Sequence, residues 1–137
     1  MVSKLQTEDA IMMYGMEGMK RCPVDNTFKL IGKKFTVHII RNMLNNQTRF
    51  NQLVESIEGI NPKTLSIRLK EMKKNGLIDR KIYHETPIRI DYYLTEKGKA
   101  LKSVLDQMAM FSVQFCAKDV FNDGKPRMYE EISKITS

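Results

Sequence analysis

Between Asn61-Pro62 and Asn75-Gly76 this sequence gathers the side chains best suited to do chemistry. Lys63, Thr64, Ser66, Ile67, Arg68 and Lys70 are interleaved there with Leu65, Leu69 and Met72. At about 100° per residue the three apolar residues share one helical face. Lys63, Ile67, Lys70 and Lys74 share the opposite face, with Thr64 and Ser66 on the flanks. Asn is a good N-cap, Pro suits the first helical position, and Gly accepts the left-handed conformation that ends a helix. The spacing predicts a helix over residues 61–75 with ammonium and hydroxyl groups on its outer side. Such a helix fits the major groove of double-stranded DNA. Lys, Thr and Ser reach base edges or phosphates there, and Ile67 can meet a thymine methyl. Arg68 lies nearer the core edge, as a phosphate contact or an internal ion-pair partner. An ordinary amphipathic helix with a solvated basic face has the same pattern, so its neighbours in the chain must decide.

Other reactive side chains are sparse. Cys22 and Cys116 are too few and too far apart for a disulfide framework or a zinc site. His38 falls in an apolar segment as a core or interface residue, and His84 falls in a loop. No Gly-rich phosphate loop, nucleophile elbow or paired-acid motif accompanies them. The chain is expected not to be an enzyme, with no cofactor and no metal.

Composition points the same way. With 137 residues, 42% of them hydrophobic, the chain is expected to fold as one domain that oligomerisation would help. Lys and Arg number 23 against 16 Asp and Glu, a net charge of +7 that favours a polyanionic partner. Residues 61–102 hold eleven Lys/Arg against five Asp/Glu, so +6 of that charge lies in under a third of the chain. The first residues turn acidic where a secretory signal is apolar, and no run approaches the ~18 apolar residues of a membrane span. A soluble, cytoplasmic protein with no membrane partner is expected.

Residues 8–18 follow Thr7 as a first helix, with Ile11, Met12, Met16 and Met19 apolar. Residues 24–31 read as a second, with Phe28, Leu30 and Ile31 apolar, and residues 34–45 as a third with Phe35, Ile39, Met43 and Leu44 on one face. Residues 48–50 read as a very short strand, and 51–57 as a helix burying Leu53, Val54 and Ile57. After Gly76 the period becomes strand-like over 77–83 and 89–94, around a loop at 84–88. Thr95 then caps a long helix over 96–118 with an apolar stripe of Leu101, Val104, Leu105, Met108, Phe111 and Phe115. A weak helical segment, 128–135, ends the chain, and Cys116 is expected in the core. Short helix, turn, basic helix, strand, loop, strand is the order of a winged helix-turn-helix. The fold class is mainly α with a small β-hairpin wing (α+β) and flanking helices.

Cys22-Pro23-Val24, Gly32-Lys33-Lys34-Phe35 and Arg49-Phe50-Asn51-Gln52-Leu53 carry a resemblance in this order and spacing. It continues through Ile60 to Leu69, Gly76-Leu77-Ile78 and Pro87 to Thr95. Over about residues 22–111 the sequence resembles the HxlR-type transcriptional regulators, a MarR-like winged-helix branch. Phe35 stands where that family usually has Trp, a packing variation between large aromatics. The resemblance implies a homodimeric DNA-binding regulator whose dimer forms through helices flanking the winged domain. Four segments follow: 1–20 an N-terminal helix in the dimer contact, 21–95 the winged domain, 96–118 a dimerisation helix, and 119–137 a C-terminal extension. The residues agree, because one winged domain cannot easily cover the 101–115 stripe and the Met12/Met16/Met19 cluster together. A two-fold dimer sets its recognition helices about 34–36 Å apart on a pseudo-palindromic operator.

Within that reading the DNA-binding residues are Arg49, Asn51, Lys63, Thr64, Ser66, Ile67, Arg68, Lys70, Arg80 and Arg89. Arg89 is the choice for the minor groove or its phosphates, supported by Arg80, Lys81 and His84, while Arg49 and Asn51 hold the backbone. The resemblance also places Cys22 at an N-terminal cysteine that senses electrophiles or oxidants in some members. Lys20, Arg21 and Lys33 lie near it in sequence, and neighbouring cations favour reaction as the thiolate. A small packing residue is the plain alternative there. The other class of function is a winged-helix protein-interaction or architectural module without sequence-specific DNA binding, which the basic helix and wing argue against. A small-molecule or oxidant effector is compatible with the sequence, which leaves the operator and the sign of regulation open.

Overall fold

The computed structural model describes residues 17–128 together with Met12, Gly15 and Glu130. The expected helix over 8–18 lies outside the described residues except at Met12, Gly15, Glu17 and Gly18, and the last three of these are turn. Met128 is irregular, and the rest of the expected 128–135 segment apart from Glu130 lies outside the described residues. The chain divides into two compact units, Met1–Thr95 and Glu96–Ser137.

In the first unit the elements run α1 (Pro23–Ile31), α2 (Thr36–Leu44), α3 (Phe50–Ser56), α4 (Pro62–Lys74), β1 (Ile78–Tyr83) and β2 (Arg89–Leu94). Pro23 occupies the first turn of α1, where its missing N–H removes nothing a helix needs. Of its apolar residues Ile31 is buried and Leu30 half-buried, while Phe28 is 55% exposed. Helix α2 starts two residues later than expected. Phe35 precedes it in the left-handed conformation, φ 76°, a strained position for a non-glycine residue, and its ring is only half-buried. Ile39, Ile40 and Met43 of α2 pack inward, with Leu53 and Ile57 of the next turn-helix and Leu65, Leu69 and Met72 of α4. His38 lies on the outer side of α2 and is exposed, so of the two places expected for it, core or interface, the core is ruled out.

The two strands pair antiparallel from Ile78↔Leu94 to Tyr83↔Arg89. Leu77, Ile78 and Leu94 are buried at the end of the hairpin nearest α4. The expected strand at 48–50 is absent, because Phe50 already belongs to α3. What remains of it is one bond, in which the Tyr92 N–H donates to the Thr48 carbonyl at 2.7 Å. That single bond ties the entrance of α3 to the outer edge of β2.

The second unit holds α5 (Glu96–Phe115) and α6 (Ala117–Val120). The helix expected to reach residue 118 ends at Phe115, where Cys116 leaves helical geometry at φ −124° and ψ 34°. Cys116 is half-buried at this break rather than in the core. The tail turns back, with the Arg127 N–H donating to the Val113 carbonyl and the Arg127 guanidinium lying 4.1 Å over the Phe121 ring. The expected apolar stripe divides in two. Leu101, Leu105 and Val113 are buried with Gly98, while Val104, Met108, Phe111 and Phe115 are exposed. On a helical wheel the two rows differ by roughly 100°, a quarter turn. Phe111 and Phe115 pack with tilted rings, 5.4 Å between centroids, on the exposed row.

Candidate nucleic-acid interface

Helix α4 is fixed at both ends by its own sequence. Asn61 Oδ1 accepts from the Thr64 N–H at 2.8 Å, filling one of the donors a helix start leaves open. At the other end Gly76 takes φ 74°. Its N–H donates to the Lys73 carbonyl and the Leu77 N–H to that of Met72, the paired closure that only a left-handed residue allows. Leu77 and Met72 are both buried beneath it.

Leu65, Leu69 and Met72 anchor the helix, so the opposite face must point away from the protein. Lys63, Ile67 and Lys70 are exposed there, and Thr64 and Ser66 are half-buried on its flanks. Neither Lys63 nor Lys70 has an ion-pair partner among the described residues. Ile67 is 43% exposed, an apolar side chain with no core to fill. This half of α4 therefore offers two mobile ammonium groups, two hydroxyls and one branched apolar group along a rigid rod. Those are the donors, acceptors and methyl contacts that read a major groove.

Arg68 is placed differently. Its side chain is 18% exposed, its Nε donates to the Lys34 carbonyl at 2.9 Å, and its Nη1 lies 3.4 Å from Glu71 Oε2. Glu71 in turn receives Lys33 Nζ at 2.9 Å. The hydrogen bond from Lys33 lowers the Glu71 carboxyl below its ordinary value of 4.5 against the upward pull of its desolvation, and Arg68 adds to the lowering. Lys33, Glu71 and Arg68 thus lash the middle of α4 to the turn before α2. Of the two roles open to Arg68, its guanidinium takes the internal one.

The wing is also internally engaged. Tyr83 and Arg89 are direct cross-strand partners, and the Arg89 guanidinium lies 4.0 Å over the Tyr83 ring. Arg89 Nε stands 3.7 Å from Asp91 Oδ2, and Arg89 Nη1 stands 3.9 Å from Glu85. Arg49 Nε, at the entrance of α3, approaches the other oxygen of Asp91 at 3.7 Å. These separations are ion-pair distances, too long for hydrogen bonds. Asp91 consequently sits between two of the predicted arginines and gathers them at one place. Lys81, directly opposite Asp91 in the ladder, is exposed on the same sheet face. Arg80 alternates to the other face and is not brought together with Arg89. Asn51 is exposed in the first turn of α3, and Thr48 and Arg49 N–H groups both donate to Gln52 Oε1.

Sequence reasoning overlooked Glu71, Tyr83 and Asp91, and gave Lys33 a role only as a cation near Cys22. The register of the hairpin could have exposed Tyr83 and Asp91, because each lies across from or two residues along from Arg89. Nothing local marks Lys33 and Glu71, which are 38 residues apart. Cys22 is a half-buried free thiol immediately before α1. Among the described residues no group of three or more His, Cys, Asp or Glu could hold a metal ion. No described helix is long and apolar enough to cross a membrane.

Known proteins resemble this chain in sequence and fold. The HxlR-like helix-turn-helix family model matches residues 30–120. The chain is 38% identical over 100 residues to the HTH-type transcriptional regulator YodB of Bacillus subtilis, covering 72% of this chain and 89% of YodB. The structure of reduced YodB superposes with a TM-score of 0.61 over 70% of this chain and 95% of that one. YodB has also been solved after diamide treatment and with quinone bound. The redox regulator HypR in its reduced form, 30% identical, superposes with a TM-score of 0.62 over 66% of this chain and 89% of HypR. A MarR-family regulator of Enterococcus faecalis, 29% identical, superposes with a TM-score of 0.67 over 77% of this chain and 96% of that one. A winged helix-turn-helix matched over most of its length by such proteins, this chain belongs to the HxlR-like family of DNA-binding transcriptional regulators.

Proposed function

We propose that this regulator acts in the cytoplasm as a homodimer on a pseudo-palindromic operator, each copy laying α4 in the major groove and residues 84–89 against the adjacent minor groove or its phosphates. The observation that carries this reading is the outward face of α4, where Lys63, Thr64, Ser66, Ile67 and Lys70 stand opposite a fully buried anchor. Lys63 and Thr64 lie in the first turn, which enters a groove deepest. Arg49 and Asn51 hold the DNA backbone from the start of α3, Arg89 does so from the wing, and Arg80 contributes from the opposite sheet face. Arg68 acts as a positioning residue that sets the roll of α4. Dimerisation uses the exposed row of α5: Val104, Met108, Phe111 and Phe115 repeat at spacings of four, three and four, the period of a helix–helix seam. Leu101 and Leu105 support that row from the buried side.

The test is a salt series of gel shifts on the chain's own upstream region and on random duplex. The expected result is preference for the upstream fragment, with Lys63→Gln weakening binding and reducing the salt slope by about one unit. Equal binding to random duplex would instead mark an architectural role, and no binding at ~50 mM salt would mark a protein-interaction module.

Cys22 is the proposed point of control. Its position before α1 and the description of YodB in diamide-treated and quinone-bound forms favour an electrophile as effector. The Cys22 thiolate, its proton given up to solvent, adds to a quinone ring carbon to form a C–S bond; the hydrogen on that carbon leaves, and the two ring oxygens each take up one proton, giving a thioether-substituted hydroquinone. Benzoquinone is expected to change operator binding of the native chain and leave Cys22→Ser unaffected; the same response in both removes the proposal.

A further inference from the structure

A hollow of about 500 Å³ opens between α1, the turn before α2 and the C-terminal end of α4. Its volume falls within the range of small-molecule sites, roughly 300–1,000 Å³. Arg21, Lys29, Lys33 and Lys74 all line it, and Glu71 is the one acidic lining residue. Glu71 is already shared between Lys33 and Arg68. Arg21, Lys29 and Lys74 have no ion-pair partner among the described residues. Three cations facing one concavity repel each other, and an anion between them relieves that repulsion while gaining charge-assisted hydrogen bonds. Its most buried lining residues are Met72 and Thr36, each 2% exposed, and Leu30 is half-buried beside them. The carbonyls at the end of α4 would oppose an anion, but the Gly76–Leu77 closure already satisfies two of them.

We infer that this hollow is a binding site for a small, doubly negative molecule with an apolar body, an aryl phosphate or aromatic dicarboxylate. The anionic groups meet Arg21, Lys29 and Lys33, and the body rests on Leu30 and Met72. Duplex DNA is the competing source of phosphate, but Lys74 lies about 16 Å along α4 from Lys63 at 1.5 Å per residue, at the end remote from the groove. A ligand drawn to Lys33 also competes with Glu71, whose carboxylate helps hold α4.

Phenyl phosphate titrated into the full chain at ~50 mM salt, followed by backbone amide shifts, tests the site. Saturable shifts are expected at residues 21–36 and 71–75, with weaker binding of inorganic phosphate and none of phenol. The pair Lys29→Gln and Lys33→Gln is expected to weaken binding at least about tenfold, and Lys63→Gln to leave it unchanged. Lys29→Gln alone is expected to weaken it about threefold, which covers the case where loss of the Lys33–Glu71 pair disturbs folding. The proposal is overturned if no shift saturates, if phenol or inorganic phosphate matches phenyl phosphate, or if Lys63→Gln weakens binding as much as the double change. It is equally overturned if the double change lowers the salt slope of duplex binding, since these cations would then be DNA phosphate contacts.

Discussion

Helix α4 and the wing both carry cations, yet they hold them in opposite ways. The amines of Lys63 and Lys70 on α4 have no ion-pair partner among the described residues, while the helix beneath them is fixed by Leu65, Leu69 and Met72. On the wing Arg89 is itself fixed, stacked on Tyr83 and paired with Asp91, while the hairpin that carries it is only two strands wide. One region is a rigid support with free side chains. The other is a slender support with a restrained side chain. Free ammonium groups pay conformational entropy when they bind and can adapt to several bases. A preset guanidinium pays less and suits an invariant target such as the phosphate backbone or the minor groove. The difference suits α4 to discrimination and the wing to registration.

Breaking the support of α4 should have the largest effect. Leu65→Ala, at a fully buried site, is expected to cost about 2–5 kcal/mol in urea unfolding, because the cavity it leaves lies under the helix. Lys63→Gln leaves stability unchanged and weakens operator binding about tenfold, the size of one good base-edge contact. Asp91→Asn probes the other half of the comparison. If Asp91 presets Arg49 and Arg89 for the phosphate backbone, affinity for operator and for random duplex falls together, each about threefold. Tighter binding to both would show that the carboxylate merely competes with phosphate for the arginines. Gly76→Ala is expected to cost about 1 kcal/mol in unfolding, since alanine resists the left-handed conformation.

The smallest effect concerns Glu71. Its pair with Lys33 is largely exposed, so Glu71→Gln should cost no more than about 0.5 kcal/mol at neutral pH. Because the folded-state carboxyl is lowered, that contribution is fully present above its ordinary value of 4.5 and fades as the pH falls through the lowered folded value. Native and variant unfolding curves are therefore expected to differ at pH 7 and to converge in acid.

Much of α4 was legible because its signals are local. Asn61, Pro62 and Gly76 mark the ends, and Leu65, Leu69 and Met72 mark the buried face, all within sixteen residues. The hairpin was legible for the same reason, through its change of period after Gly76. The roles of Arg68 and Arg89 were less so, since they depend on the Lys34 carbonyl and on Asp91, which only the fold or the strand register brings near. The α5 stripe misled in a different way. Inward Leu101 and Leu105 and outward Val104 and Met108 are each apolar, so periodicity merged two adjacent rows into one. The strand at 48–50 failed because a single bond from Tyr92 is too little to hold extended structure against the start of α3.

Footprinting the upstream region of this chain's own gene with purified protein tests the central claim most directly. The account predicts two protected half-sites related by a dyad, their centres about 10–10.5 base pairs or a multiple apart, both lost together in Lys63→Gln at moderate salt. A single unpaired footprint, protection without sequence preference, or an unaltered footprint in Lys63→Gln would contradict it.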